Sequence, residues 1–444
     1  MRIGTYILSK YAKQTYKKEC FNVRTNAGIA VVIDILRKAG YEVEWCSSAN
    51  VHKYDVVLFS MTSDCDWWEF IAERIKWAKG EYKVVVGGAG VLNVRPFLPY
   101  VDYFVLGGAE NVIDKLIIAL DKYGEYESEN IINSKTFDVG KTYYINQVEE
   151  IYPHEILLEN GQKYREDIIG CNHRCLFCGY TWQRKNCGPK VFAYSGLWHG
   201  SEDRERAILD INNGVPIDYV KLRTTAIDGM SERLRFMVNK RISRDTLREF
   251  LGNMARCEKP HQLKIYNIVG YPTETADDWR EFVEDISIVD REMQKQEKQT
   301  CLLLHSTPFR AMPATPMATA PMSYKNYRGK IGGMLGKGMK GNIFYQGNAM
   351  WAVESMATDS LSTVIKSAIV WRGTESDSDM FAKIAASKKF NSASADVKQA
   401  TLEKYFDVGR LFGRYTLDDL PTKYLATYAD YKKAITKVEE QWLR

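Results

Sequence analysis

The sequence predicts an α/β protein, and three observations carry that prediction. Short apolar runs recur at 2–8, 42–46, 55–60, 83–87 and 103–106. Stretches such as 27–39 and 67–78 lie between them with apolar residues at helical spacing. A second alternation of strand-like and helix-like segments runs from about 164 to 316. Apolar strands separated by helices build parallel sheets that are covered on both faces.

Residues 1–125 therefore read as a doubly wound domain. Its loops at 60–66, 87–90 and 107–110 should sit at the carboxyl ends of the strands, where such sheets bind ligands. Residues 126–163 are polar and rich in Tyr, Asn, Glu and Lys, a connector with room for a small hairpin. The second α/β region, 164–322, has strands at 219–224, 263–269 and 301–304 and helices at 231–238, 244–255 and 276–294. Residues 307–321 are rich in Pro, Ala and Met and leave regular structure. The Gly- and Lys-rich stretch 325–341 lacks the strand–loop–helix context of a phosphate loop and reads as a surface connection. The C-terminal region, 323–444, reads mostly as amphipathic helices.

Composition narrows the function classes. Hydrophobic residues make up 45% and charged residues 26%, ordinary for a globular protein. A net charge of +5 over 444 residues is far from the basicity of a nucleic-acid binder. No apolar run reaches membrane-spanning length, and the opening MRIGTYIL reads as a first strand rather than a secretory segment. A cytoplasmic protein with no membrane partner is expected. Nine cysteines in such a chain point to metal or redox chemistry rather than a disulfide framework.

Cys171, Cys175 and Cys178 carry that chemistry. They are separated by three and then two residues and follow an expected strand at 164–170. Three thiolates on one tight loop suit three irons of a four-iron cluster and leave the fourth iron open. Phe177, just before the third cysteine, can cover one side of the cluster. With Cys187 or His173 as a further ligand, the same residues would suit a structural zinc. Zinc sites favour paired two-residue spacings, and no second pair follows.

The segment IIGCNHRCLFCGY (168–180) resembles the cluster-binding loop of the radical S-adenosylmethionine (SAM) superfamily. The run RTTAIDGMSERLRFMVNKRISRDTL (223–247), followed by KIYNIVGYPTET (264–275), resembles the corresponding part of cobalamin-binding radical SAM enzymes. The resemblance covers roughly residues 1–320 and implies a partial (β/α) barrel. It implies that Cys171, Cys175 and Cys178 ligate a [4Fe-4S] cluster whose open iron SAM chelates. An electron passed to the sulfonium then breaks a carbon–sulfur bond and yields a 5′-deoxyadenosyl radical. The resemblance places Phe177, Gly270 and Tyr271 near the adenine of SAM, Ser231 and Arg233 near its ribose or carboxylate, and Gly179, Tyr180 and Arg223 among the residues that bind it. Read from the residues alone, Ser231 is equally a helix N-cap ahead of Glu232, and Arg233 a surface helix residue. The chain departs from the family in two ways. Only about forty-five residues separate Cys178 from Arg223, and the glycine-glycine-glutamate that meets the SAM amino group is not evident.

The N-terminal pattern YDVVLFSMTS (54–63), KVVVGGAGV (83–91) and VDYFVLGGAE (101–110) resembles the cobalamin-binding domain that precedes many radical SAM barrels. Gly87, Gly88, Gly107 and Gly108 would let a corrin or its nucleotide tail lie against backbone, with Ser60, Thr62 and Glu110 as polar contacts. The Asp-x-His-x-x-Gly signature is absent, and paired glycines also serve the tight turns of any doubly wound sheet.

The expected architecture is thus a cobalamin-binding-like doubly wound domain, a partial radical SAM barrel and a mostly helical C-terminal region. The expected function is cobalamin-dependent C-methylation of an unactivated carbon. The alternative is a cobalamin-free radical isomerase or modifying enzyme acting on a protein or nucleic acid, which the aromatic, basic stretch LEKYFDVGRLFGRY (402–415) would recruit. A zinc-stabilised binding protein is the non-enzyme reading. Partners implied are SAM, a substrate, and an electron donor such as a flavodoxin or ferredoxin. Cys20, Cys46 and Cys65 read as small buried residues rather than a second cluster site. Trp67 and Trp68 read as the buried stripe of a helix rather than a cofactor cover. Trp182 and Arg184 either line the substrate cavity or pack outside it.

Overall fold

The β-branched runs form the first sheet. Strands β1 (Arg2–Tyr6), β2 (Glu42–Cys46), β3 (Val56–Ser60), β4 (Lys83–Gly87) and β5 (Tyr103–Val105) are parallel, in the order β2-β1-β3-β4-β5. The computed structural model describes residues 1–8, 27–148, 150–157, 163–164, 174–182, 224–256, 261–296, 300–325, 351–356 and 360–426. Strand β6 (Ile131–Asn133) extends the sheet antiparallel to β5. The order reverses between β1 and β3, which opens a crevice at their carboxyl ends.

Alternation along the strands sorts the helices to two faces. Ile3, Val56, Leu58, Val85 and Val105 pack with the apolar stripes of α1 (Ala27–Lys38) and α3 (Ile113–Tyr123). Val57, Phe59, Val84, Val86 and Phe104 join a separate core with α2 (Asp66–Arg74). Trp67 and Trp68 are core residues, as the helical stripe predicts. The Trp67 ring stacks 3.7 Å from Phe97, and its Nε1–H donates to the Gly90 carbonyl at 2.9 Å. Such a packing is worth about 3–5 kcal/mol against alanine. Helix α2 stops at Arg74, short of the expected 78, because Trp77 turns back to pack on Phe70 and Tyr6.

The connector forms β7 (Thr142–Ile145) and the expected hairpin, β8 (Ile156–Leu157) against β9 (Lys163–Tyr164). A four-residue helix, α4 (Gly179–Trp182), follows the cysteine loop. The second sheet holds β10 (Thr224–Ala226), β11 (His261–Val269), β12 (Thr300–Pro308) and β13 (Trp351–Met356), all parallel and in sequence order. Crossovers of one hand place the connecting helices on one face. These are α5 (Glu232–Met237), α6 (Arg244–Arg256) and α7 (Ala276–Gln296). Strand β12 runs four residues past the expected 304 through His305–Pro308. It is paired with β11 along its whole length and with β13 over 300–305, so pairing overrides the mixed polar pattern.

The C-terminal region adds α8 (Leu361–Arg372), α9 (Ser378–Ala386), α10 (Lys388–Ser392), α11 (Ala395–Tyr405) and α12 (Val408–Phe412). It also adds strands that its helical pattern hid: β13 in the second sheet, and β14 (Lys423–Ala426) parallel to β7. Buried polar residues tie it down. Asn93 donates to the carbonyls of Val370 (3.0 Å) and Gly373 (2.8 Å) and accepts from the Thr422 hydroxyl (3.1 Å). Arg372 is fully buried. Its Nη1 donates to Leu411 and Gly413, its Nη2 to Ala318 and Ala320, all carbonyls within 2.7–3.0 Å. Burial pulls this guanidinium down to about 10. Among the described residues no helix is long and apolar enough to cross a membrane.

Candidate functional site

Cys175 and Cys178 share one tight turn, closed by Cys178 N–H donating to the Cys175 carbonyl at 3.1 Å. The Trp182 indole N–H donates to the same carbonyl at 2.9 Å, so Trp182 packs beneath the loop. Cys175 is buried and Cys178 half-buried; Gly179 is buried and Tyr180 half-buried where α4 begins. Cys171, His173, Arg184, Cys187 and Arg223 lie outside the described residues, as does Cys20.

The turn sits at the carboxyl ends of the second sheet. Tyr271 follows β11, and its hydroxyl donates at 2.7 Å to the carbonyl of Asp228, which follows β10. Its ring lies 6.4 Å from Phe177 of the cysteine turn and 5.1 Å from Phe309, which follows β12. Burial pushes the Tyr271 phenol well above its ordinary value, and the charges of Asp228, Cys175 and Glu274 add to the shift. Tyr271 is thus a neutral, fully packed wall between cysteine turn and strand ends. Gly270 has φ of +79°, open to glycine without strain, and its N–H donates to Glu274. The three segments 174–178, 226–230 and 269–274 converge in the way that ligand-binding loops do at parallel strand ends.

Ser231 and Arg233 are brought together on a residue the sequence reading missed. Ser231 is the N-cap of α5, accepting from Leu234 N–H, and its hydroxyl donates to Asp278. Arg233 pairs with the same carboxylate at 2.5 Å and donates to the Thr273 carbonyl at 2.9 Å. Thr275 supplies two further donors to Asp278 from its backbone and hydroxyl. The signal was present as Thr275-x-x-Asp278, a hydroxyl residue three ahead of an acid at the start of α7. Nearby, Lys240 is buried and pairs with Asp228 at 2.9 Å.

Burial alone would raise the Asp278 pKa, but hydrogen bonds from Arg233, Ser231 and Thr275 overcome it and hold the carboxyl below its ordinary value. A depressed carboxyl stabilises the fold above the unfolded pKa, about 3.9, and that stability is lost as pH falls through the folded value. Melting curves between about pH 5 and pH 3 should therefore fall more steeply for the parent than for Asp278→Asn. Parallel curves would show that the carboxylate contributes nothing through this linkage.

At the first sheet, the glycines expected to face a corrin face the chain itself. Gly88 has φ of +100°, and a Cβ there would lie 2.6 Å from the Met61 carbonyl. Met61 N–H in turn donates to the Gly87 carbonyl at 2.7 Å, beside Ser60 and Thr62. Gly107 bridges Asn146, and Gly108 N–H donates to the Asn146 carbonyl at 3.0 Å. A Cβ at Gly107 would meet Asn146, and one at Gly108 would meet Val148 and the Glu110 carboxylate. Residues 145–148 thus lie against the side of Gly107 and Gly108 where a side chain would stand. Cys46 is buried, with its thiol pushed up to about 12 by burial, while Cys65 is exposed ahead of α2 rather than buried as expected, because it precedes the first helical turn.

The arrangement is a thiol pair seated at the ends of parallel strands and walled by Phe177, Tyr271 and Phe309. No protein-family model matches this chain, and no curated protein matches it.

Proposed function

We propose that the chain is a radical SAM enzyme. The observation that supports this reading is the placement of the Cys175–Cys178 turn at the carboxyl ends of β10, β11 and β12, held there by Tyr271. Cys171, Cys175 and Cys178 would hold the iron–sulfur cluster, and the thiol pair on one turn is a fitting donor set for it. When bound, the cluster supplies an electron for reductive cleavage of the SAM carbon–sulfur bond. The residues of this chain provide the surroundings. Phe177, Tyr271 and Phe309 exclude water from one side of the turn, which protects reactive species from quenching. The high pKa of Tyr271 keeps the phenol protonated and its hydrogen bond to Asp228 intact across the neutral range.

The sheet of strands β10 to β13, parallel and in sequence order, supports a partial β/α barrel as the scaffold. Of the two reactions, the self-packing of Gly88, Gly107 and Gly108 favours the cobalamin-free one, radical isomerisation or modification of a larger substrate. Cobalamin-dependent C-methylation is the second reading, favoured by the β2-β1-β3-β4-β5 order of a cofactor-binding sheet. We assign a cytoplasmic setting and a flavodoxin or ferredoxin as reductant.

The test is anaerobic reconstitution with iron and sulfide, then incubation with SAM and dithionite. Formation of 5′-deoxyadenosine is the expected result. Zinc in place of iron and no 5′-deoxyadenosine would overturn the reading in favour of a zinc-stabilised binding protein. Cobalt content after expression with cobalamin separates the two reactions: near-stoichiometric cobalt would restore methylation to first place.

A further inference from the structure

Four non-glycine residues among those described have left-handed backbone, and three of them meet at the cysteine turn. They are Arg174 (φ 48°), Asp228 (φ 52°) and Asn239 (φ 63°); Ala314 is the fourth. Asparagine visits this region readily, but arginine does so only when its surroundings hold it there.

Two hydrogen bonds tie the cysteine loop to the end of α5, one of them on Arg174 itself. The Asn239 side-chain Nδ2 donates to the Arg174 carbonyl at 3.0 Å. Leu176 N–H donates to the Val238 carbonyl at 3.0 Å. The pair brackets Cys175, one bond on each side of it. Asn239 also has a purely local duty: in left-handed conformation it terminates α5, its N–H bonded to the Phe236 carbonyl at 3.0 Å. Its Oδ1 accepts from Arg241 Nε at 3.3 Å, which sets the carboxamide orientation so that Nδ2 faces the loop. The adjacent Lys240–Asp228 pair then ties the same turn to the strand end that Tyr271 contacts.

We propose that Asn239 is a positioning residue of the cysteine loop: its carboxamide keeps Arg174 left-handed and thereby sets where Cys175 presents its thiolate. The proposal rests on the iron–sulfur reading of the loop. It separates the local duty of Asn239 from the long-range one. Glycine at 239 preserves the helix end, because it tolerates positive φ better than asparagine, but removes the donor to Arg174. Aspartate keeps the shape and the left-handed tolerance while setting an acceptor against the Arg174 carbonyl.

The experiment compares the reconstituted full chain with Asn239→Gly and Asn239→Asp. Three readouts are followed: melting of the cluster-free protein, the rate at which bathophenanthroline disulfonate strips iron, and the EPR spectrum of the reduced cluster with and without SAM. Asn239→Gly is expected to melt like the parent yet lose iron about three- to tenfold faster, the range set by one lost hydrogen bond, with an altered EPR spectrum. Asn239→Asp should lose iron at least as fast. Unchanged chelation rates and spectra in both variants, with a cluster present in the parent, would overturn the role of Asn239 alone. A parent that assembles no cluster would overturn the iron–sulfur reading, and the positioning role with it.

Discussion

Replacing Cys175 with alanine is expected to leave a folded protein that holds no iron–sulfur cluster and cleaves no SAM. Two features separate these outcomes. The backbone of Cys175, not its sulfur, organises the turn, since its carbonyl accepts from both Cys178 N–H and Trp182 Nε1–H. Those bonds survive the substitution, and loss of one buried sulfur costs on the order of 1 kcal/mol. In the proposed site the thiolate is one of three ligands, and two thiolates would hold a four-iron cluster poorly. Iron and sulfide per chain, visible absorption and far-UV circular dichroism are the measurements. Iron retained at the parent level would remove Cys175 from the ligand set and, with it, the main support for the proposed chemistry. Unfolding of the variant would assign the sulfur to the core instead.

The largest effect on stability is expected at Arg372. Its four donor contacts all end on backbone carbonyls, from Ala318 and Ala320 on one segment and Leu411 and Gly413 on another. Arg372→Met fills similar space without a donor, so four enclosed carbonyls lose a partner. Each such loss costs about 1–3 kcal/mol. Removing a buried charge offsets part of this, since burial has already pulled the guanidinium down to about 10. The net expectation is a loss of about 3–5 kcal/mol, the scale of breaking a buried charge network. That corresponds to a melting temperature lower by roughly 3–5 °C for a chain of this length. Arg372→Lys should lose less, because an ammonium still serves some of the carbonyls. A variant Arg372→Met that melts within about 1 °C of the parent would show that the carbonyls find other donors or water.

Much of the fold was legible because its signals are local. The runs at 42–46 and 83–87 became β2 and β4 with no change of boundary, since the first alternates polar and apolar residues and the second is a short apolar run. Helix α7 was legible from its amphipathic repeat. Strands β13 and β14 were not, because each depends on a distant partner: β12 pairs β13, and β7 pairs β14. At the site, the cysteine spacing named the loop, but nothing local ties Tyr271 to Asp228 or Asn239 to Arg174. Those bonds join segments that only the sheet brings together. The glycine pairs were ambiguous for the same reason. Gly107 and Gly108 need close approach, and the sequence does not say that Asn146 and Val148 make it.

The staple through Asn93 has a temporal consequence. Its partner Thr422 lies 329 residues further along the chain, and β7 finds its strand partner in the segment just after it. At about 5–20 residues per second, synthesis brings Thr422 out roughly 15–65 seconds after Asn93. During that interval the first sheet can close on α1, α2 and α3, but Asn93 and β7 lack the partners that later cover them. Contacts of such wide sequence separation form late and slowly. The nascent protein therefore passes through a half-built state in which its first sheet carries an open flank, and a holding chaperone that shields that flank would favour productive folding.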